Sequence, residues 1–264
     1  MLKAVLHAHS TYSDGEFTLS ELRELFFGQG CSVLCITDHA ESFDAEKLDA
    51  YVMECSSLSH DGFLFVPGLE FECEQRMHIL GYGSTTLANT KDPEAVIRHI
   101  EAHSGLAVIA HPKDTMFPWI ETFQSLPLGI ETWNSKYDGR YAPRPGTFDL
   151  LSRLRSRRRE MKAFYGQDLH WRKQFRGLFV ELQTETLSRE SVLDTLARGQ
   201  FTAVKGDLRL SSAGELSTEL RAQFTAQHAK SDRMRRFLRT SKEKLDRLGL
   251  AIPAPIKSQL RRIF

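Results

Sequence analysis

The chain of 264 residues contains no run of about twenty apolar residues, so no helix in it is built to span a bilayer. Its first ten residues, MLKAVLHAHS, hold no apolar stretch of signal-peptide length. Net charge is lacking too. Lys and Arg number 35 against 34 Asp and Glu, a balance of +1, and no global field selects a partner. Cysteine is scarce. Cys31, Cys35, Cys55 and Cys73 form no CxxC pair, and the first two sit in an apolar run. They read as reduced core thiols, which predicts a cytoplasmic protein. Low-complexity tracts and base-reading motifs are also absent.

What charge there is lies unevenly. Residues 209–264 carry thirteen Lys/Arg and five Asp/Glu, a local +8, leaving about −7 for the rest. The tail is polar and helical in period, and IPAPI interrupts it at 252–256. Arg235, Arg236, Arg239 and Lys242 fall on adjacent helical turns there. Two readings are open: an appended segment that meets an anionic partner, nucleic acid or membrane surface, or a solvated face packed on an acidic body. The expected division is a barrel over 1–208 and a basic helical C-terminal extension over 209–264.

Within 1–208, short apolar runs alternate with helical-period stretches. The expected strands are 2–8, 32–38, 63–71, 77–83, 106–112, 128–133, 161–168 and 201–206. Between them lie helical segments such as TLSELRELFFGQG and SRESVLDTLARG. Thr18 with Glu21 three residues on is a capping-box pattern, and Gly28 and Gly30 stop that helix. Ser188 opens the later helix and Gly199 closes it. Nearly continuous apolar strands separated by helices predict an α/β protein with a buried parallel sheet, closed into a barrel.

The polar residues of these strands gather at their ends. His7 and His9 are spaced i, i+2 and share one side of the first strand. Asp38 and His39 close the second, Glu70 and Glu72 the third, His111 the fifth and Glu131 the sixth. His78 opens the fourth; Asp168 and His170, again i, i+2, follow the seventh. Six of the ten histidines occupy such positions; His60, His99, His103 and His228 fall elsewhere and receive no role. In barrels the strand ends converge on the site. A single strand-end histidine is commonly structural, but so many together suit Zn²⁺, Mn²⁺ or Fe²⁺.

In this order the motifs resemble the PHP family, named for polymerase and histidinol phosphatase. The matching stretches are LHAHSTYSDG (6–15), ITDHAE (36–41), PGLEFE (67–72), HILGYG (78–83), IAHP (109–112) and GQDLH (166–170). The resemblance implies a distorted (β/α)7 TIM-like barrel holding two or three divalent metal ions. His7, His9, Glu70 and Asp168 would hold one; Glu70, His78 and His111 a second; Asp14, His39 and His170 a third. Asp38 would be catalytic, by orienting ligands or helping proton transfer. Glu131 carries no implied ligand role and reads as a structural carboxylate bonded to a backbone group. Val5 stands where the family has an acidic residue, and GQDLH departs from a GSDAH-like motif.

Close divalent ions suit phosphoester hydrolysis by activated water. The expected enzyme is a metal-dependent phosphoric ester hydrolase. Its substrate would be a phosphomonoester or small phosphodiester, with a nucleotide or nucleic-acid end among the candidates. Lys113, Arg144 and Arg172 are the expected phosphate-binding cations, with Lys136 and Arg140 nearby. Trp119, Trp133 and Trp171 could stack on a base or serve in packing. Two alternatives stay open: an amide or ester hydrolase on the same scaffold, and a non-catalytic module recruited through its tail.

Overall fold

The fold is taken from a computed structural model describing residues 1–139 and 142–247. Arg140 and the 252–256 segment lie outside the described residues. Seven strands build the barrel: β1 (Leu2–Leu6), β2 (Val33–His39), β3 (Leu64–Glu72), β4 (His78–Tyr82), β5 (Leu106–Ala110), β6 (Gly129–Asn134) and β7 (Lys162–Gly166). They pair in sequence order, β1 through β7. The helices include α1 (Leu19–Phe27), α2 (Ala45–Ser57), α3 (Pro93–Ala102), the short α4 (Phe117–Ile120), α5 (Pro145–Leu154) and α6 (Arg189–Arg198).

The local signals act as read. The Thr18 side chain accepts from the Glu21 amide at 3.2 Å, and Glu21 accepts from the Thr18 amide at 2.8 Å. Gly199 ends α6 at φ 70, a left-handed turn that glycine enters without a Cβ penalty. On α1, Leu19, Leu22 and Phe26 are buried at i, i+3 and i+7, the spacing of one helical face. Each such side chain contributes about 1.5–3 kcal/mol, as an upper estimate. All four cysteines are free and buried.

The sequence predicts a parallel sheet, but the sheet is mixed. β1, β2 and β3 run parallel, as do β5, β6 and β7, but β4 is antiparallel to both neighbours. The reason is length. Only residues 73–77 join β3 to β4, and a parallel crossover needs about a dozen. The reversal matters, because it brings the start of β4, with His78, to the face where the other strands end.

Two further strands escaped the sequence reading: β8 (Phe179–Leu182) and β10 (Leu208–Ser211), which flank β9 (Phe201–Lys205) in an antiparallel ribbon on β1. The expected division at residue 209 falls inside β10. Helix α7 (Thr218–Arg247) follows. It docks on α5 through buried Phe224 and an Arg221–Asp149 ion pair at 2.6 Å. Of Arg235, Arg236, Arg239 and Lys242, only the helical backbone is described. Among the described residues no helix is long and apolar enough to cross a membrane.

The barrel closes along a seam between β1 and the segment after β7. Gln167 N donates to Leu6 O at 3.0 Å, Asp168 N to His7 O at 2.8 Å, and His9 N to Leu169 O at 2.9 Å. Beside the seam, where β6 pairs with β7, a register shift between Glu131 and Trp133 marks a bulge in β6, the device that re-aims strand side chains beside many sites. Glu131 then lies flat against Gly166, where a Cβ would sit 1.8 Å from its Oε1. Gly166→Ala is therefore expected to displace Glu131 and destabilise the fold by about 1–3 kcal/mol, measured as a lower thermal midpoint in chelator.

Candidate metal centre

Three expected site residues share an unusual backbone. His7 (φ 62), His111 (φ 29) and Asp168 (φ 52) all stand one or two positions past a strand end in the left-handed region. Non-glycine residues enter it at a cost of about 1–3 kcal/mol each. The strands supply the position, and these turns aim the side chains over the barrel mouth.

Glu70 lies at the centre, 1% exposed. Its Oε2 is 3.2 Å from His7 Nε2, 3.1 Å from His9 Nε2 and 3.6 Å from His39 Nδ1. Its Oε1 is 2.7 Å from His78 Nδ1 and 3.1 Å from His111 Nε2. Asp168 stands beside it, with Oδ1 3.7 Å from both His7 and His9 Nε2 and 3.1 Å from His170 Nδ1. Asp14, on the turn after β1, reaches His170 Nε2 at 3.2 Å and His39 Nε2 at 3.6 Å.

All nine expected donors thus converge. They fall into four overlapping sets whose donor atoms lie within 4.8 Å of one another: His9, Asp14, His39 and His170; His7, His9 and Asp168; His7, Glu70 and His111; His39, Glu70 and His78. The sequence division into three sets is redrawn: His9 also joins the Asp14 group, and His78 and His111 fall in separate sets around Glu70, one with His39 and the other with His7. The donor chemistry fits divalent cations. His7 Nε2 and His9 Nε2 confront each other at 3.2 Å, and His9 Nδ1 is buried with no hydrogen-bond partner among the described residues.

Electrostatics agree. Burial holds His9 neutral, with a pKa pushed down to about 3 against the pull of Glu70, so its lone pair is available. Burial also opposes charge on His7, but Glu131, Asp168 and Glu70 outweigh it and raise its pKa well above the ordinary value. Glu70 and Asp168 are buried yet held well below the usual carboxylate range, chiefly by His7. Protons here do what cations would do: they neutralise carboxylates cut off from water.

Three residues without a ligand role in the sequence reading support this cluster, and one of them, Asn134, was passed over there. Glu131 does bond a backbone group, accepting from His111 N at 3.0 Å. Its other oxygen is 2.8 Å from His7 Nδ1, which fixes that ring and leaves Nε2 facing the donors. Lys136 Nζ donates to Asp168 Oδ1 at 3.0 Å. Its pKa is raised despite burial, mainly by Asp168, so it stays charged. Asn134 Nδ2 donates to Glu131 at 2.9 Å and to Asp168 at 3.1 Å, linking the two carboxylates. Glu131 and Lys136 were visible at the strand end; the β6 bulge that brings them in was not.

Asp38 is buried beneath the first turn. Its oxygens accept from Ser10 N at 2.8 Å, Ser10 Oγ at 2.7 Å and Ser13 Oγ at 2.5 Å. Burial pushes its pKa up against these bonds. It belongs to none of the four donor sets. These bonds tie it to the turn that carries Asp14.

A cleft of about 620 Å³ opens beside His78 and His111. Lys113 and Arg144 line it, but Arg172 does not: it lies over the Phe17 ring at 4.9 Å. Arg144 is already engaged by Asp138, by Asp114 at 2.8 Å and by Pro112 O at 2.7 Å. Tyr137, 48% exposed, packs its ring 4.5 Å from His111 at the cleft. His228 of α7, given no role from sequence, forms another part of the wall and bonds Ala142 O at 3.3 Å. Trp133 is buried, with its indole donating to Gly139 O at 3.1 Å, and Trp119 packs edge-on against Phe123. Only Trp171, 41% exposed, remains open beside His170.

Two measurements follow from the cluster. Glu131→Gln is expected to weaken metal affinity about 10–100-fold, read by competition with a chromogenic chelator. In chelator, His170 brings a pH dependence. Its burial is outweighed by Asp14 and Asp168, which raise its pKa from 6.5 to about 9. The stability this lends is complete below pH 6.5 and lost as pH rises through about 9. The thermal midpoint of metal-free protein should fall across that window, and His170→Asn should flatten the fall.

A family model for the PHP domain matches residues 6–185. DNA polymerase/3'-5' exonuclease PolX of Bacillus subtilis is 33% identical over 79 residues, which are 27% of this chain and only 14% of that protein. A two-domain protein of Bacteroides vulgatus, described as containing a predicted PHP-like metal-dependent phosphoesterase, superposes with a TM-score of 0.60 at 16% identity. That match covers 85% of this chain and 69% of the other. PsfC from Pseudomonas syringae superposes at 0.53 with 12% identity, over 87% of this chain and 98% of that one. At such identities the structural likeness establishes the fold alone. The family match spans well over half of the sequence and includes all nine converging donors; the chain belongs to the PHP domain family.

Proposed function

We propose that this protein is a metal-dependent phosphoesterase that hydrolyses a phosphomonoester or small phosphodiester, nucleotide-derived compounds included. One observation carries the reading: the buried Glu70 carboxylate divides its oxygens between two groups of imidazoles, one of His7, His9 and His39, the other of His78 and His111. That is the arrangement of a bridging ligand. Two or three divalent cations, zinc, manganese or iron, would supply an activated water and polarise the phosphoryl oxygens.

The chain's own residues divide the remaining work. His7, His9, Glu70 and Asp168 would hold one ion, and His78 and His111 would share Glu70 for a second. Asp14, His39 and His170 would hold a third, with His9 alongside. Lys136 keeps Asp168 oriented and adds a fixed positive charge beside the phosphoryl position. Asp38 acts as a positioning residue, because its oxygens already accept from Ser10 and Ser13. Arg144 is the brace of the cleft wall. Lys113 stays available for an anionic part of the substrate, while Arg172, over the Phe17 ring, lies apart from the cleft.

The test pairs elemental analysis with phosphate release from a panel including 4-nitrophenyl phosphate and bis(4-nitrophenyl) phosphate. Metal should co-purify at two or three equivalents. Glu70→Gln should cut turnover by about a hundredfold or more, the scale expected when a group stabilising transition-state charge is lost. Metal-loaded protein that leaves every phosphoester intact but cleaves amides would sink the proposal in favour of the amide hydrolase.

A further inference from the structure

The cleft beside His78 and His111 contains charges that the metal cluster does not use. Its acids are already matched. Asp138 and Asp114 are both held by Arg144, and Glu72 faces Lys91 at 3.7 Å. Two of its cations have no acidic partner among the described residues: Arg76 and Lys113, both exposed. They come from different elements, the short link between β3 and β4 and the turn after β5.

The Arg76 link is costly to build. Gln75 (φ 55) and Arg76 (φ 58) are consecutive non-glycine residues in the left-handed region. The link thereby stands Arg76 at the cleft rim, two residues before His78. Across the cleft, Tyr137 offers an exposed ring face and His228 bounds the space from α7. His228 lies outside the residues 6–185 that match the family. A phosphoryl group bound at the His78–His111 end would therefore extend its leaving group between Tyr137 and the two unmatched cations.

We infer that Arg76 and Lys113 form a leaving-group subsite for a negatively charged group, so that the preferred substrate is an organic phosphate whose leaving group itself carries an anion such as a carboxylate. This rests on the phosphoesterase reading for the position of the reacting phosphoryl. Paired guanidinium and ammonium donors bind such a group by charge-assisted hydrogen bonds, which are the strong class. A neutral leaving group of the same size would leave both cations without a partner.

The experiment compares two ligands that differ at that one group, a carboxylate in 3-phosphoglycerate and a neutral hydroxymethyl in glycerol 3-phosphate. Calorimetric titration of the metal-loaded protein should give at least roughly tenfold tighter binding of 3-phosphoglycerate, the scale of one charge-assisted hydrogen bond. The gap should close in Arg76→Ala/Lys113→Ala, whose affinity for glycerol 3-phosphate stays unchanged. Equal affinities in the wild-type protein, or a preference that survives in the double variant, overturn the inference. The second outcome would assign the selectivity to the carboxylate meeting the metal ions. Hydrolysis of 4-nitrophenyl phosphate, followed separately, tells whether the phosphoesterase reading itself stands.

Discussion

Three carboxylates, Glu70, Glu131 and Asp168, lie buried in one small volume at the mouth of the barrel. Charges removed from water are costly unless paired and hydrogen-bonded. Much of the local structure answers that cost. Five imidazoles face Glu70, Lys136 and Asn134 face Asp168, and His7, Asn134 and the His111 amide occupy Glu131. The left-handed turns, the β6 bulge and the bare Cα of Gly166 let these groups approach closely enough. The same arrangement leaves imidazole nitrogens facing one another and facing carboxylate oxygens, as a cation site requires.

Most of the nine donors were legible as polar residues gathered at strand ends, and the resemblance to the PHP motifs supplied Asp14 and the division into ligand sets. Residues spaced i, i+2 share a strand face, and strands of one barrel end together. His7, His9, Asp168 and His170 carry that spacing, although β1 ends at Leu6 and β7 at Gly166, and left-handed turns at His7 and Asp168 aim the side chains. His78 was legible only as an anomaly, a histidine at a strand start; its meaning came from the five-residue link that forces β4 to run backwards. That length was in the sequence, and it excludes the parallel crossover that the alternating pattern suggested.

Other features depended on contacts that no local pattern encodes. The part Glu131 plays depends on a bulge in β6, which shifts register by one residue and has no compositional mark in GIETWN. Asp38 looked catalytic beside His39, and only the fold brings Ser10 and Ser13 onto its oxygens. Arg144 carried the charge expected of a phosphate ligand, and the fold adds ion pairs with Asp138 and Asp114 that no local pattern announces. His228 reached the cleft because α7 docks through Phe224, with Leu220 packed on the core one turn earlier, in an otherwise polar stretch.

The seam between β1 and the segment after β7 sets His7 and His9 beside Asp168 and His170, although most of the barrel lies between them in the chain. A cation shared by those side chains would act as a cross-link, closing a loop of about 160 residues much as a disulfide would. Chain-closure entropy rises only slowly with loop length, so nearly the full benefit of a long-range staple is available at this point. The ion that equips the centre for chemistry would also lock the barrel shut, and its loss would loosen the seam where the first and last strands of the barrel meet.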